Sequence, residues 1–467
     1  MTIGAGGEEW RIMQTGSKGY DPSADSDVLA EARKNIDRIR KRDVALRVVD
    51  SGGKPLAGRQ VEIKLNRHAF CFGDQLWALD RMFRFNQAET DRARYWKLRF
   101  ADVLNSANAL CYWTERPRND GPKTEDIQGR PQLDGFRYCV NWAASEGLTV
   151  KGHPLVWSIP KCVPDWVMRY DYETQMKFLE VRVRQLISAA AGKVRIWDLV
   201  NEALWEPAWK NLPNRNWPHI EDIENIADYI APAVGWARDE DPDACYIIND
   251  YGLMSDKTRD EQELKSSDGT VVTSQLQRKR FRRLIKVLGD RGCPPDAMGL
   301  QSHTGGWVSP REQQAVYDEL AEAGLPLHIT EFSAPTRELS GDGELTDEQT
   351  QQLLSQYVSN YMTVAFGHPA IEAFFFWGFI NQAVRFRGEN SGHETTVVYD
   401  TVRRLIRDEW TTRECLTTDE NGCVSFRGFF GDYSLRWQVS EDQTCGTRFR
   451  VAAEQQMPLT LQARPLT

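Results

Sequence analysis

Eight short apolar segments, separated by longer stretches with helical spacing, constrain the fold of this chain more than any other feature of its sequence. The segments are FCFGDQ (70–75), ANALCY (107–112), TVKGHPLVW (149–157), VRIWDLVNE (194–202), CYIINDYG (245–252), AMGLQSH (297–303), LPLHITEF (325–332) and EAFFFWGF (372–379). Nearly continuous apolar runs are typical of parallel strands buried on both faces. Eight strand-then-helix units predict an α/β fold, the (β/α)8 TIM barrel. A doubly wound open sheet is the alternative, but no Gly-x-Gly-x-x-Gly motif follows the first strand.

The two ends of the chain carry a different pattern. Residues 27–42 have the spacing and dense charge of a solvated helix. Residues 43–65 alternate apolar and polar on both sides of a Gly-rich turn, which indicates a β-hairpin or the edge of a sandwich. Short alternating strands recur at 422–439 and 446–452. We therefore predict a lead-in, helix and β-hairpin region (1–67), a barrel (68–410), and a β-rich region (411–467) that packs with residues 43–66 into a small β-sandwich.

Composition excludes several classes of protein. The net charge of −9 argues against a nucleic-acid binder, which would present a basic face. No run of about 18 apolar residues predicts a membrane span, and the first residues lack the apolar core of a signal peptide. The nine cysteines include no Cys-x-x-Cys pair, so neither a zinc site nor a dense disulfide framework is expected. Cys415, Cys423 and Cys445 leave open one bridge or free thiols.

Nearly every apolar segment ends in a side chain that can do chemistry. In a barrel of this kind the carboxyl ends of the strands meet at one rim, where the active site is built. The sequence therefore predicts one site at that rim. The candidate residues are Asp74, Asn108, His153 with Trp157, Asn201 with Glu202, Asn249 to Tyr251, Gln301 with His303, Glu331, and Trp377.

Two of these residues are carboxylates that end apolar runs, Glu202 on the fourth strand and Glu331 on the seventh. For either one alone, a salt bridge or a solvated strand end is the alternative. Together, on strands that face each other across the rim, they suit a retaining glycosidase, whose two carboxyl groups lie about 5–5.5 Å apart. One carboxyl stays protonated and the other ionised, so their surroundings must separate their pKa values. Asn201 is suited to hydrogen-bond a sugar 2-hydroxyl.

Four segments in the same order, GHPLVW, WDLVNEA, GLQSH and HITEFS, closely resemble the signatures of glycoside hydrolase family 10, the xylanase family. The resemblance covers the whole barrel. It implies a (β/α)8 fold, retaining hydrolysis of β-1,4 linkages in xylan, and no cofactor. It implies that Glu202 is the acid/base and Glu331 the nucleophile. The other implied roles are contacts around the −1 sugar (Asn201, His153, Trp157), steadying of the nucleophile (Gln301, His303), and further sugar contacts (Asn108, Tyr251, Trp377).

The sequence also departs from the family pattern. Ala107 and Cys111 stand where the family has a Glu and a Lys that grip sugar hydroxyls at the −2 and −1 positions. Ser333 replaces an Asp two residues after the nucleophile, and Ser158 replaces a His. In the last loop, residues 383–386 (Ala-Val-Arg-Phe) lie where a second sugar-facing Trp is expected. The cleavage chemistry is retained, whereas the grip on a plain xylose chain is altered.

Arginine residues in two loops suggest an altered specificity. Arg116 and Arg118 follow the second strand, and Arg385 and Arg387 follow the last. Because a guanidinium matches a carboxylate with two parallel hydrogen bonds, one from each loop would bind an acidic substituent such as a uronic acid. Surface salt bridging is the alternative.

The loop after the fourth strand carries Trp205, Trp209 and Trp217. A tryptophan offers a flat apolar face beside a polar edge, which suits stacking on sugar rings. We predict sugar stacking for these three residues, with core packing as the alternative.

The resulting hypothesis is a retaining glycoside hydrolase that cleaves β-1,4 linkages in xylan or a related, decorated or acidic, plant or microbial polysaccharide. The alternatives are a hydrolase of a non-xylan glycan, an exo-acting enzyme, and a carbohydrate-binding protein on an inactive barrel. A metal-dependent hydrolase is disfavoured because only His153 and His303, of seven histidines, lie at strand ends. The predicted partner is a polysaccharide or oligosaccharide, not nucleic acid or membrane. The substrate class leads us to expect a secreted or periplasmic protein; the oligomeric state is left open.

Overall fold

The elements of the chain follow each other as strand and helix in its middle and as strands at both ends. The computed structural model describes residues 19–114, 122–126, 128–206, 209–211, 223–256, 265–266, 269–304, 306–335, 339, 345–386, 393–440, 443–462 and 464–465. The helices are α1 Ser26–Arg40, α2 Trp77–Arg84, α3 Asp91–Val103, α4 Asp134–Ser145, α5 Tyr172–Ala190, α6 Ile223–Glu240, α7 Ser274–Asp290, α8 Pro310–Ala321, α9 Asp347–Gly367, α10 Phe379–Ala383 and α11 Val397–Arg404. The strands are β1 Lys41–Val49, β2 Gln60–His68, β3 Cys71–Gln75, β4 Ser106–Leu110, β5 Thr149–His153, β6 Val156–Trp157, β7 Val194–Asn201, β8 Cys245–Asp250, β9 Ala297–Leu300, β10 Leu327–Phe332, β11 Ile371–Phe376, β12 Val384–Phe386, β13 His393–Thr395, β14 Arg413–Thr417, β15 Cys423–Phe429, β16 Gly431–Ser440, β17 Gln443–Val451, β18 Leu459–Gln462 and β19 Arg464–Pro465.

Parallel strands close into a barrel in the middle of the chain, which confirms the predicted fold class. The hydrogen-bonded order is β3, β4, β5, β7, β8, β9, β10 and β11, and β11 pairs back to β3. Each predicted apolar segment supplies one barrel strand. The third segment gives two pieces, β5 and β6, because Pro154 between them has no N–H to donate to the ladder. The predicted rim therefore exists, and the strand ends meet there.

Two glycines in barrel strands let large aromatic side chains pack against the backbone. A Cβ atom on Gly152 would lie 2.3 Å from the ring of Trp197, and one on Gly73 would lie 2.3 Å from the ring of Phe375. Trp197 is fully buried and packs on Phe136 of α4. Both strands need glycine at these positions, because a side chain there would occupy the space of the packed ring.

Two of the outer helices begin with well-formed caps. At the start of α8, the Ser309 side chain accepts from the Glu312 backbone and the Glu312 side chain accepts from the Ser309 backbone. Thr346 and Gln349 make the same reciprocal pair at the start of α9. These capping boxes satisfy backbone N–H groups that have no partner within the helix.

Strands from both ends of the chain form the predicted small β-sandwich. One sheet has the order β15-β1-β18 and the other β14-β2-β16-β17-β19. Their inner faces share one apolar core, with Leu46 of β1, Ile63 of β2 and Leu435 of β16 almost fully buried. The predicted β-hairpin at 43–65 is wrong, because β1 and β2 lie in different sheets and pair with C-terminal strands. An alternating pattern predicts a strand with one buried face, but it does not identify the partner strand.

The sandwich contacts the barrel at the end opposite the rim. Arg40, at the end of α1, donates to the backbone oxygens of Phe366, His368 and Ile371, where β11 begins. The His68 ring packs edge-on against Phe72 and Phe366. The accessory strands therefore leave the carboxyl ends of the barrel strands to the loops that follow them.

All nine cysteines are free thiols, so the bridge among Cys415, Cys423 and Cys445 is not formed. Among the residues listed above as described, no helix has both the length and the apolar character that crossing a membrane requires.

Candidate active site

Glu202 follows the last residue of β7 and points into the rim from a strained backbone. Its φ is +60°, a left-handed conformation that is uncommon for a residue other than glycine. Its backbone N–H donates to the backbone oxygen of Asn249, in the neighbouring strand, at 2.7 Å. Asp250 accepts from the Leu204 N–H at 2.8 Å and so holds the turn that follows. Strain of this kind persists where surrounding contacts enforce it, which is common in functional sites.

Two side chains donate to the Glu202 carboxyl. Trp157 Nε1 donates to Oε2 at 2.7 Å, and Gln301 Nε2 donates to Oε1 at 3.0 Å. Burial nevertheless raises the pKa of Glu202 to about 7, and the negative charge of Glu331 adds to the rise. The two hydrogen bonds and the Lys161 ammonium oppose it. Glu202 therefore holds a proton near neutrality and can release it there.

Glu331 lies in β10 and accepts hydrogen bonds on both oxygens. Asn249 Nδ2 donates to Oε1 at 2.8 Å, and His303 Nε2 lies 3.1 Å from Oε2. His153 Nδ1 lies 3.9 Å from Oε1. Burial by itself would raise the pKa of Glu331, but attraction to His153, His303 and Lys151 outweighs it and lowers the pKa. The carboxyl group is therefore ionised where Glu202 is still protonated.

A chain of amide groups joins the two carboxyl groups. Asn201 Oδ1 accepts from Asn249 Nδ2 at 2.8 Å and from Gln301 Nε2 at 3.3 Å. Thr330 Oγ1 donates to Asn249 Oδ1 at 2.5 Å, which fixes the orientation of that amide. Gln301 was expected beside the nucleophile with His303; it contacts Glu202 instead. The side-chain type alone could not say which of two carboxyl groups an amide would reach.

Half-buried aromatic side chains border the two carboxyl groups. The Trp377 ring lies 5.3 Å from the His153 ring and 6.4 Å from the His303 ring. The Trp157 ring packs against Tyr112 at 5.3 Å, and Lys161 Nζ lies 5.4 Å from its centre. Both indoles keep a partly exposed face at the rim. Apolar faces beside carboxylates are the surfaces that sugar rings stack on.

Two of the three loop tryptophans belong to the core, so the prediction of sugar stacking for them is wrong. Trp209 is fully buried and stacks on Trp113 at 6.3 Å with the ring planes 8° apart. Trp205 stacks on Tyr251 at 4.9 Å and donates to its backbone oxygen. Large aromatic rings gain free energy by leaving water, and these two are buried. The Trp205 contact places Tyr251, still partly exposed, at the rim.

Some predicted residues lie outside the described part of the chain. These are Arg116, Arg118, Arg387 and Trp217. Arg385 lies in β12, but its side chain is not among those described. The hypothesis of an acidic-sugar site thus stays a prediction from sequence.

The altered second strand is entirely buried. Ala107, Asn108 and Cys111 are all fully enclosed, and the Cys111 sulfur contacts the Pro154 oxygen at 3.5 Å. Among the described residues, no group hydrogen-bonds the side-chain amide of Asn108. An alanine and a thiol supply no ionic or strong hydrogen-bonding group, so this side of the rim offers little to hold sugar hydroxyls.

Three residues support the site in ways that sequence reasoning did not predict: Asp74 was a rim candidate without a stated role, and Lys151 and Asp198 were not candidates. Asp74 accepts from the N–H groups of Gly378 and Ile380 at 2.7 and 2.9 Å, and it thereby anchors the backbone on either side of α10's start, next to Trp377. Lys151 and Asp198 are fully buried beneath His153 and pair with each other. A lysine inside an apolar barrel strand was the available signal, because lysine is almost never fully buried without a partner. Among the described residues, no cluster of three or more His, Cys, Asp or Glu side chains could hold a metal ion.

Comparisons with known proteins place this chain in a family and support its fold. The family model for glycosyl hydrolase family 10 matches residues 122–403. The chain is 27% identical over 422 residues to anti-sigma-I factor RsgI6 of Acetivibrio thermocellus, covering 89% of this chain and 47% of that protein. It is 22% identical over 408 residues to endo-1,4-beta-xylanase 1 of Arabidopsis thaliana, covering 86% and 37%. It is 24% identical over 355 residues to endo-1,4-beta-xylanase B of Thermotoga neapolitana, covering 75% and 88%. The chain thus spans less than half the length of the first two relatives.

Solved structures agree on the barrel. Xylanase 10B of Thermotoga petrophila, solved in complex with xylobiose, superposes with a TM-score of 0.51 at 17% identity, covering 73% of this chain and 95% of that chain. A GH10 protein of Paenibacillus barcinonensis gives 0.52 at 18% identity, covering 72% and 94%. At this level of identity the likeness establishes the fold.

Proposed function

The chain belongs to glycosyl hydrolase family 10, and on that premise we propose that it is a retaining glycoside hydrolase cleaving β-1,4 linkages in xylan or a related polysaccharide. One observation carries the mechanism. Two buried carboxyl groups share one rim, and their surroundings raise the pKa of Glu202 and lower that of Glu331. Opposite shifts on two neighbouring carboxyl groups assign an acid and a nucleophile.

In the first step, Glu331 attacks the anomeric carbon while Glu202 donates its proton to the leaving glycosidic oxygen. The bond from the anomeric carbon to that oxygen breaks, and an ester between the sugar and Glu331 forms. In the second step, Glu202 accepts a proton from water, and the resulting oxygen nucleophile displaces Glu331. Two displacements at one carbon return the original anomeric configuration.

The electrostatic coupling of the two carboxyl groups suits this change of role. The charge of Glu331 is one cause of the raised pKa of Glu202. Ester formation removes that charge, so the pKa of Glu202 falls and the same group becomes a base for the second step. The hydrogen bonds from Trp157 and Gln301 hold its carboxyl group in place throughout.

The altered second strand supports a second candidate substrate within the same chemistry. With Ala107 and Cys111 buried, the charged grip that the family resemblance implies is missing at −2 and −1. A decorated or non-xylan β-glycan, or release of units from a chain end, would tolerate this loss because other contacts would supply the affinity.

The test is hydrolysis of unsubstituted xylan, glucuronoxylan and other β-glycans, with products read by mass and the first-formed anomer read by proton NMR. Glu331→Ala and Glu202→Gln serve as the matched inactive variants. We expect the wild type to release products with retained configuration and both variants to lose at least a thousandfold in rate. Inversion would refute the double displacement. Binding without cleavage by the wild type would favour the carbohydrate-binding alternative, and products of a single length would favour exo action.

A further inference from the structure

A buried ion-pair chain of Lys151, Asp198 and His153 runs beneath Glu331 inside the barrel. The Lys151 ammonium contacts Oδ2 of Asp198, and neither side chain has any exposed surface. His153 Nδ1 lies 2.6 Å from the same Oδ2. The same Nδ1 also lies 3.9 Å from Glu331 Oε1, beyond hydrogen-bonding distance, so the imidazole lies beside both carboxyl groups.

This arrangement is not explained by packing alone. Apolar residues of similar volume often stabilise a fold as well as a buried ion pair does, because both ions must leave water. Lys151 also lies against the Phe375 ring at 5.5 Å, a place where an apolar side chain would fit. A lysine kept in the centre of a barrel therefore points to a role in electrostatics.

The charges of the Lys151–Asp198–His153 ion-pair chain act on the Glu331 carboxyl group. Burial tends to raise the pKa of Glu331, and attraction to Lys151 is among the causes that lower it. Asp198 keeps a lowered pKa in spite of its burial, because Lys151 and His153 lie beside it.

We propose that Lys151 is a positioning residue that, together with Asp198 and His153, keeps Glu331 ionised. This inference rests on the proposed function of Glu331 as nucleophile. Lys151 supplies the positive potential, Asp198 keeps the lysine and the imidazole in place, and His153 lies between Asp198 and Glu331.

The other titratable groups around the chain do not supply the same potential. His328 of β10 lies near Lys151 and Asp198, but burial first, and then Lys151, lowers its pKa to about 4, so it is neutral at working pH. Burial raises the pKa of the neighbouring thiols Cys111 and Cys245 to about 12. Facing Glu331 itself are Glu202, His303 and His153.

The test compares three variants in the pH dependence of kcat/KM, whose acid limb reports the ionisation of the free nucleophile. Lys151→Met removes the cation at similar volume, and the acid limb should move up by about one pH unit, a tenfold loss of activity on that limb. Asp198→Asn leaves the cation uncompensated, and the limb should move down. The double variant Lys151→Met with Asp198→Asn carries no buried net charge, and its limb should return towards the wild type.

Arg40→Met is the matched control, because it also removes a largely buried cation, but at the barrel end opposite the rim. It should lower thermal stability without moving the acid limb. If Lys151→Met and Asp198→Asn move the limb in the same direction, or if Lys151→Met lowers only the melting temperature, the chain is structural and the inference is wrong.

A readout independent of turnover separates this inference from the proposed function. The carboxyl carbon of Glu331 is followed by NMR in ¹³C-glutamate-labelled protein and assigned by its loss in Glu331→Gln. Suppose that the wild type cleaves no glycan, but that the pKa of Glu331 shifts in opposite directions in Lys151→Met and Asp198→Asn. The proposed function then fails and the electrostatic role of Lys151 stands. If glycan is cleaved and the titration is unchanged by Lys151→Met, only this inference fails.

Discussion

Neutralising Glu331 should lower the pKa of Glu202, because the negative charge of Glu331 is one of the two causes that raise it to about 7. The variant Glu331→Gln keeps the volume and removes the charge. At a separation of about 5.5 Å, as in retaining glycosidases, and an effective dielectric constant of about 20, two unit charges repel by about 3 kcal/mol. One pH unit corresponds to about 1.4 kcal/mol, so removing the charge lowers the pKa of Glu202 by at most about 2 units. Burial, the larger cause, remains and keeps the value above 4.5, the ordinary value.

The assay is a ¹³C NMR titration of the Glu202 carboxyl carbon in wild type and Glu331→Gln, with Glu202→Gln for assignment. Asp74→Asn is the control. It removes another buried carboxyl group at the rim, whereas burial and the charge of Glu331 are what raise the pKa of Glu202. It should leave the Glu202 titration in place. A change of less than about half a unit in Glu331→Gln would mean that the two charges scarcely interact. The change of role from acid to base would then have no electrostatic cause.

Three further predictions follow from single contacts. Thr330→Val leaves the Asn249 amide oxygen buried without its donor, and should cost about 1–3 kcal/mol of unfolding free energy and lower kcat more than it raises KM; steady-state kinetics in which only KM changes would contradict this. Gly152→Ala would place a Cβ 2.3 Å from the Trp197 ring, so a loss of about 1–3 kcal/mol is expected in denaturant unfolding, and an unchanged midpoint would show that the strand can shift. The stability of Glu202→Gln relative to the wild type should be greater at pH 8 than at pH 4. The folded pKa of Glu202 exceeds the unfolded one, so the wild type loses stability as the pH rises from about 4.5 through about 7, by up to about 3 kcal/mol, whereas glutamine does not titrate. Parallel pH–stability curves for the two proteins would refute that linkage.

The barrel was predictable because its physical requirement is local. A strand covered on both faces must be apolar along its length, and polar residues can appear only where the strand leaves the core. That rule located all eight strands and brought Glu202 and Glu331 to one rim. The pairing of β1 and β2 was not predictable, because each strand has the same alternating pattern whether its partner is its neighbour in sequence or a strand near the C-terminus.

The hydrogen-bond partners within the site were less predictable from the sequence than the barrel strands. Residue type identified Gln301 and His303 as partners of a carboxyl group, but the choice between Glu202 and Glu331 depends on distances of a few ångströms at the strand ends. Residue type alone suits Trp205 and Trp209 to a sugar-stacking surface as well as to a core. Their burial in the structure assigns them to the core. Lys151 was visible in the sequence as a charge in a buried strand. Its partner Asp198 is the second residue of the WDLVNEA motif, but only Asn201 and Glu202 of that motif were given a role.

On the proposed function, the groups that set the charge of the two carboxyl groups are separate from the positions where the sequence departs from the family pattern. The groups that set the charge of the two carboxyl groups, Asn249, His153 and Gln301, come from the barrel strands or their immediate ends, where backbone positions are fixed by closure of the sheet. Among the described residues, the side chains of Ala107 and Cys111, which stand where the family pattern has a Glu and a Lys, make no hydrogen bond to Glu202 or Glu331. We therefore expect substitutions at positions 107 and 111 to leave the hydrogen bonds of Glu202 and Glu331 unchanged. It follows that restoring Glu at position 107 and Lys at position 111 should change KM for unsubstituted xylo-oligosaccharides more than kcat, and a change confined to kcat would show that the two functions are not separable.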